Sequence, residues 1–297
     1  MPVAAEPGVS VFELPVTPWL QGPVTRLISS GVLAYAADGP LSGAISTTLG
    51  PGLAITTSQL SLNFVSAGSL ASGTLRARGE SIHTGRRQGL AEARVEDAQG
   101  KLLAFCTTRC VVLDLGVPPE GVESPRVLLP DEGWVPPYLR PVRGSPLPAA
   151  VWQQKTGLEI LRGMMAGEIE RPPLAYLLGT KFEEVGEGVA VVSLPCTAWL
   201  CPPAPAIYGG AIALFADIAM ANALLTTLPA GGSYATLDLF VYFIRPVMPD
   251  GRRLTARAAV VHRGRSLGVA ECTIVNEDQK TVARAVTSAM MLDRPFA

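Results

Sequence analysis

The sequence contains an internal repeat that keeps its register without gaps over residues 31–104. Sliding the chain by 179 positions places Asp38 on Asp217 and Thr57 on Thr236 (217 − 38 and 236 − 57 both give 179). The tripeptide Thr-Thr-Leu and a His-x-Gly-Arg segment recur at the same spacing. Chance does not hold register over such a length, so the chain is a duplication and both copies must adopt one fold.

Each copy contains a helix that is apolar on nearly every face. Ile207–Leu228 predicts this helix in the second copy, and Ile28–Leu49 predicts its counterpart in the first. A helix of this kind belongs in a core or a membrane, where an ionised carboxylate is expensive unless it has a role. Asp217 and Asp38 lie well inside these two helices, so they are the first candidates for chemistry.

Runs of alternating apolar residues, typical of β-strands, surround each helix. In the first copy they are Val9–Pro15, Ala54–Phe64, Thr74–His83, Arg87–Glu96 and Leu102–Leu113. In the second copy they are Phe182–Leu194, Ser233–Ile244, Leu254–His262, Ser266–Asn276 and Val282–Leu292. We expect an α+β fold in which an antiparallel sheet wraps one central helix in each copy. Because each sheet has an edge to cover, the copies should pair edge to edge as a pseudo-dimer.

The predicted organisation has three segments. The first repeat occupies residues 1–114, a proline-rich linker occupies 115–149, and the second repeat occupies 150–297. Ala150–Gly167 is predicted as an amphipathic helix that leads into the second repeat. Gly39-Pro40 is expected to kink or end the first central helix, because proline lacks an N–H and clashes with the preceding turn.

Composition excludes several classes of function. Net charge is −1 and no basic block is present, so a nucleic-acid partner is not expected. Asp217 and the lack of basic flanks argue against a membrane span at Ile207–Leu228. The first residues lack the pattern of a signal peptide, and the five cysteines lack metal-ligand spacing. We therefore expect a cytoplasmic protein with reduced thiols and no metal.

Tyr208-Gly209-Gly210, followed by Asp217, carries a family resemblance. With the segments ATLDLFVYFIRP and VVHRGRS, it resembles hotdog-fold thioesterases of the PaaI-like, phenylacetyl-CoA thioesterase type. In that family a His-Gly-Gly motif opens the central helix, and an acid lies nine positions after the His. The resemblance covers Gly157–Leu292 and, through the repeat, Val9–Leu113. It implies a double hotdog that hydrolyses acyl-CoA, with coenzyme A as part of the substrate, no other cofactor, and further pairing into a homo-oligomer.

The resemblance also implies roles for individual residues. Backbone N–H groups at a helix entrance would hold the thioester carbonyl and the oxyanion formed from it. A helix Asp would act as general base or nucleophile, and a strand Thr would orient it or the attacking water. Each site would be shared between the copies. One site would combine Asp38 and Thr57 with Gly209 and Gly210, and the other would combine Asp217 and Thr236 with Ser30 and Gly31.

Substrate-binding residues are expected around these entrances. Tyr208 would donate its phenolic O–H to the carbonyl, and Arg245, Arg263 and Arg265 would bind the phosphates of coenzyme A. The alternative for the arginines is a role as solvated turn residues. The motif His is Tyr208 in the second copy and Ser29 in the first. The family's upstream Asn falls on Pro202 and Pro23.

Two other functions fit the same scaffold. The first is a non-catalytic protein that binds acyl groups or acyl-CoA, in which Asp217 and Asp38 are buried structural carboxylates, since a fold does not fix a function. The second is a hotdog hydratase or dehydratase. That activity needs a His–acid pair, and neither predicted central helix contains a His.

Overall fold

The predicted α+β double-hotdog fold is confirmed. The computed structural model describes residues 1–24, 26–116, 135–201 and 206–292. The first half has one central helix, α1 (Gly31–Ser46). Its strands are β1 (Pro2–Glu6), β2 (Val9–Pro15), β3 (Leu53–Phe64), β4 (Thr74–Thr84), β5 (Gln88–Glu96) and β6 (Leu102–Asp114).

The second half repeats this plan and adds short helices before it. These are α2 (Ala149–Gln154), α3 (Gly157–Ala166) and α4 (Pro173–Leu178), followed by β7 (Lys181–Gly186) and β8 (Val189–Pro195). The central helix is α5 (Gly209–Leu225). After it come β9 (Ser233–Thr236), β10 (Asp238–Phe243), β11 (Arg253–Arg263), β12 (Leu267–Val275) and β13 (Thr281–Leu292).

The strands of the described residues form one antiparallel sheet that passes through both halves. Its order is β1-β2-β4-β5-β6-β3-β10-β13-β12-β11-β8-β7, with β9 also paired to β13. The halves meet where β3 pairs with β10, and Ser61 lies opposite Phe240 there. These two residues are repeat equivalents (240 − 61 = 179), so a pseudo-twofold axis passes between them. Edge-to-edge pairing therefore covers an edge of each half-sheet, as expected for an isologous contact.

The core lies between the sheet and the two central helices, which pack against each other. Most side chains of α1 and α5 are buried on all faces, as their composition predicts. No helix in the described ranges has the length and apolarity that crossing a membrane requires. Most of the predicted linker, residues 117–134, lies outside the described residues. The segment boundaries at 114 and 149 stay a prediction.

Two local differences from the predicted elements have physical causes. The predicted helix Ala150–Gly167 is divided, because Thr156 caps α3 and forms a reciprocal capping box with Glu159. The predicted strand Ser233–Ile244 is interrupted at Leu237. There the Asp238 carboxylate accepts the Ser288 N–H at 2.8 Å, in place of a ladder bond. The first repeat has a β-bulge at the equivalent point of β3. Strand β1 and helix α4 gave no clear sequence pattern.

Helix α1 continues through Pro40, so the expectation that Gly39-Pro40 could end it is wrong, while a kink there stays a prediction. Tertiary packing maintains the helix here, because α1 packs against β4. Gly79 of β4 lies directly against Pro40. A β-carbon on Gly79 would lie 2.5 Å from the Pro40 carbonyl carbon and nearer still to its oxygen. The equivalent residue in the second repeat, which has no proline in its helix, is Ala258 (258 − 79 = 179).

We expect Gly79→Ala to destabilise the protein by about 2 to 3 kcal/mol, because a methyl group there forces two backbones apart. Urea unfolding monitored by tryptophan fluorescence would measure the change. Gly50→Ala is the matched control, since nothing lies within 4 Å of the β-carbon it would add. Equal stability of Gly79→Ala and wild type would show that α1 and β4 are not in tight contact.

Candidate active site

Two buried carboxylates cross between the halves, each reaching the start of the other central helix. Asp217 of α5 accepts the Gly31 N–H of α1 at 2.8 Å. Asp38 of α1 accepts the Gly210 N–H of α5, also at 2.8 Å. First-turn N–H groups have no acceptor within their own helix, and the helix dipole favours negative charge at that end. Each acid therefore caps the opposite helix.

Glycine at the helix entrances allows this close approach. A β-carbon on Gly31 would lie 3.0 Å from Asp217 Oδ2 and 2.7 Å from a methyl carbon of Leu214. A β-carbon on Gly209 would lie 2.8 Å from Asp38 Oδ2. A side chain at either position would push the carboxylate off the helix end. The Gly pair that the sequence places at the second entrance therefore has a steric reason.

Asp217 receives further hydrogen bonds from serine hydroxyls. Ser30 Oγ donates to Asp217 Oδ2 at 2.9 Å and lies 3.1 Å from Oδ1. Ser29 Oγ lies at 3.4 Å, a weak contact. Among the described residues, the backbone N–H of Ser30 has no hydrogen-bond acceptor. A free amide donor therefore lies beside the carboxylate.

Asp38 has different partners. Thr57 Oγ1 donates to Asp38 Oδ1 at 3.2 Å. Thr236 is the repeat equivalent of Thr57, and within the described ranges it makes no such hydrogen bond with Asp217. Instead it lines the wall of a cavity beside Asp217. The hydroxyl of Tyr208 donates to the carbonyl oxygen of Tyr35 at 3.2 Å, and it does not reach the carboxylate.

A cavity of about 460 Å³ opens beside Asp217. Its volume is in the range typical of small-molecule sites. One wall is the α1 entrance, and another is the face of α5 that carries Ile218, Ala221 and Leu225. Helix α3, helix α4 and strand β8 add further apolar side chains to the lining, among them Leu161, Met164, Leu174 and Val192. The carboxylate thus lies in the wall of a mostly apolar chamber.

Among the described residues, aromatic side chains pack close to Asp38. A β-carbon on Gly39, the next residue, would lie 2.6 Å from the ring of Phe12 and 2.9 Å from the hydroxyl oxygen of Tyr208. The rings of Tyr208 and Tyr35 pack edge to face, with centroids 5.1 Å apart. A pocket of about 250 Å³ is lined by these rings and Phe12, and Asp38 is not among its lining residues.

Burial raises the pKa of both acids to about 6. Their exposed fractions are 2% for Asp38 and 1% for Asp217, and loss of hydration disfavours the charged form. The hydrogen bonds from Ser30 and Gly31 oppose this shift at Asp217, and those from Gly210 and Thr57 oppose it at Asp38. A carboxyl with a pKa near 6 is ionised at neutral pH and is a stronger base than an exposed one.

The predicted phosphate-binding arginines lie away from the chamber. Arg245, Arg263 and Arg265 are exposed, and none of them lines it. Two other cations do. Arg171 donates to the Thr180 carbonyl at 2.5 Å and lies over the Tyr176 ring, while Lys181 is exposed at the start of β7.

Sequence reasoning missed Arg171 and Lys181, because no spacing or motif marks them. It identified Ser29 as the residue in the motif His position but assigned it no role. Among the described residues Ser29 contacts Asp217 and lines the chamber. Of the two prolines in the family's Asn position, Pro23 lines the chamber, and Pro202 lies outside the described residues.

Comparisons with known proteins match each half of the chain to a thioesterase family. Residues 205–283 match the family described as the thioesterase superfamily, and residues 19–112 match the acyl-CoA thioesterase C-terminal domain. The acyl-coenzyme A thioesterase PaaI of Escherichia coli is 38% identical over 115 residues. That match covers 38% of this chain and 79% of the relative.

Solved structures that span almost the whole chain show the same fold. The tesB protein of Mycobacterium avium subsp. paratuberculosis superposes with a TM-score of 0.61 at 13% identity, over 98% of this chain and 96% of its own. Acyl-CoA thioesterase II of Mycobacterium marinum gives 0.57 at 12% identity, over 99% and 95%. At such identities these likenesses concern the fold alone. Together with the family matches and the PaaI relative, they lead to one conclusion. The chain belongs to the thioesterase superfamily, as a tandem hotdog thioesterase of the PaaI-like type.

Proposed function

We propose that this protein hydrolyses acyl-CoA thioesters at the Asp217 site, which is shared between the two repeats. The observation that carries the proposal is the position of Asp217. Its carboxylate is buried, is held by Ser30 and Gly31 of the other repeat, and faces an apolar chamber. The PaaI relative, named as an acyl-coenzyme A thioesterase, supports acyl-CoA as the substrate class.

The acyl group occupies the chamber in this proposal. Most of its lining is aliphatic or aromatic and comes from both repeats, so an apolar acyl chain would gain about 0.8 kcal/mol for each buried methylene. The thioester would lie beside the hydroxyls of Ser29 and Ser30, Asp217 and Thr236, which all line the chamber. A few polar groups in a mostly apolar lining fix the orientation of the bound acyl group.

The Ser30 N–H is the proposed oxyanion donor. It has no acceptor among the described residues, lies next to the Gly31 N–H that holds Asp217, and belongs to the positive end of α1. A preorganised amide at that point stabilises the negative charge that forms on the thioester oxygen. Gly209, the equivalent of Ser30 at the other entrance, has the corresponding place beside Asp38.

Asp217 then acts on the thioester carbon in one of two ways. As a general base it takes a proton from water, which attacks the carbonyl, and the coenzyme A thiolate leaves and is protonated. As a nucleophile it attacks the carbonyl directly and expels the coenzyme A thiolate, which is protonated, and water then hydrolyses the resulting anhydride and restores the Asp217 carboxylate. Thr236 lines the chamber on the strand side and would orient the water. Both routes require the ionised carboxylate.

Coenzyme A leaves the chamber past Arg171 and Lys181 in this proposal. Lys181 is exposed and also lines the chamber, so it marks an opening to solvent. Cations at an opening attract the phosphates of coenzyme A. A role for Arg245, Arg263 and Arg265 in holding those phosphates stays a prediction.

We expect wild-type protein to release free thiol from acyl-CoA, and Asp217→Ala to lower kcat at least tenfold. General acid–base groups contribute about 10²- to 10⁴-fold. A thiol-reactive dye with a panel of short, long and aromatic acyl-CoAs would measure the rates. Asp278→Asn is the control, because this acid is exposed and pairs with Arg252. Absence of release across the panel would exclude hydrolysis, and acyl-CoA binding without release would favour the acyl-binding alternative.

We expect kcat/KM to rise with pH and to level off above the pKa of Asp217, which burial raises to about 6. Below that value the carboxyl is protonated and can neither accept a proton nor attack. The rate should therefore fall about tenfold for each unit of pH well below 6. Initial rates of thiol release between pH 4.5 and 8 would give the profile. A flat profile over this range would contradict a catalytic role for the ionised acid.

We expect Asp217→Asn to stabilise the protein at pH 7.5 while it removes activity. The folded-state pKa of about 6 lies above the ordinary value of 3.8. The stability linked to this group is therefore complete below about pH 3.8 and is lost as pH rises through 6. Two pKa units correspond to about 3 kcal/mol at neutral pH. Asparagine is neutral and keeps an oxygen for the Gly31 N–H.

Thermal melting at pH 7.5 and pH 4.5 measures this effect. The Tm of Asp217→Asn should exceed that of wild type by several degrees at pH 7.5, and by much less at pH 4.5. A lower Tm at pH 7.5 would mean that the bonds from Ser30 and Gly31 to the charged carboxylate outweigh its loss of hydration.

A further inference from the structure

The two acids are repeat equivalents, yet the spaces beside them are opposite in character. Helices α3 and α4, which line the chamber, have no counterpart among the described residues of the first half. The two sides also differ at three equivalent positions. Beside Asp217 these positions hold Ser29, Val192 and Ile218, and all three line the open chamber. Beside Asp38 they hold Tyr208, Phe12 and Gly39.

The strand register shows that Phe12 and Val192 occupy equivalent places. Phe12 lies opposite Ala77 in β2 and β4, and Val192 lies opposite Ala256 in β8 and β11. Ala77 and Ala256 are repeat equivalents (256 − 77 = 179). Phe12 therefore occupies the strand position whose repeat equivalent, Val192, lines the chamber beside Asp217.

Gly39 leaves the space into which the rings fit. The Phe12 ring and the Tyr208 hydroxyl both lie within 3 Å of where its β-carbon would be. In the second repeat this helix position is Ile218, which contacts the chamber. A small residue on the helix and two large residues facing it fill the volume that Asp38 would need for an acyl group.

We propose that the protein has one working site per chain, and that Phe12 and Tyr208 close the equivalent site at Asp38. This rests on the proposed function at Asp217. Asp38 is then a structural acid that holds the start of α5 through the Gly210 N–H and is itself held by Thr57. Tyr208 closes the site and does not donate to substrate, since its hydroxyl is bonded to the Tyr35 carbonyl.

Binding stoichiometry tests the proposal on the intact chain. The probes are S-alkyl coenzyme A thioethers with short and long alkyl chains, which cannot be hydrolysed. Isothermal titration calorimetry should give one equivalent bound per chain. Two equivalents would overturn the proposal.

A double variant tests what closes the site. Phe12→Val with Tyr208→Ser gives the Asp38 side two of the three residues found beside Asp217 and keeps Gly39, which leaves the most space on the helix. This variant should bind two equivalents of the thioether. A single equivalent would show that the two rings are not what excludes the acyl group.

The acids themselves provide a kinetic comparison. Asp217→Asn should lose at least tenfold in kcat, whereas Asp38→Asn should stay within about threefold of wild type and keep its pH midpoint. If both variants lost activity equally, the one-site proposal would fail while hydrolysis stood. If wild type released no thiol at all, the proposed function would fail, and the stoichiometry would still report on closure.

Discussion

The structure depends on two crossed contacts, in which a buried carboxylate of one repeat meets the first-turn amides of the other. Burial alone would make Asp38 and Asp217 unfavourable, because each loses its hydration. The helix-end N–H groups lower that cost and need an acceptor themselves. The same contact joins the two central helices, requires small residues at their entrances, and keeps each acid basic. The same carboxylate and amide groups therefore affect both the stability of the fold and the basicity of the acids.

Much of the fold could be predicted from the sequence, because duplication lets one copy test the interpretation of the other. Periodicity gave the central helices and most strands within a few residues. Periodicity did not predict the breaks at which a side chain takes the place of a backbone hydrogen bond. Asp238 does this by accepting the Ser288 N–H, and Thr156 does it by capping α3. The local preference of Gly39-Pro40 was misleading in a different way, because α1 continues through Pro40 where it packs on Gly79.

The site was less predictable, because its openness depends on volumes from several elements. The repeat and the family resemblance pointed to both acids and both entrances, and the structure places each acid beside the opposite entrance. The sequence offered no sign that one acid faces a chamber and the other faces aromatic rings. That contrast depends on which strand residue faces which helix residue. Only the strand register makes Phe12 and Val192 comparable.

The junction at Ser61 and Phe240 has an evolutionary consequence. In a symmetric homodimer every substitution occurs twice, so a ring that blocks one site blocks the other as well. Here the halves are joined in one chain, and Phe12 and Tyr208 come from different repeats yet act at the same place. Fusion therefore allows one pocket to be lost while its twin is kept. Selection on the residues around Asp38 can then act on their packing alone.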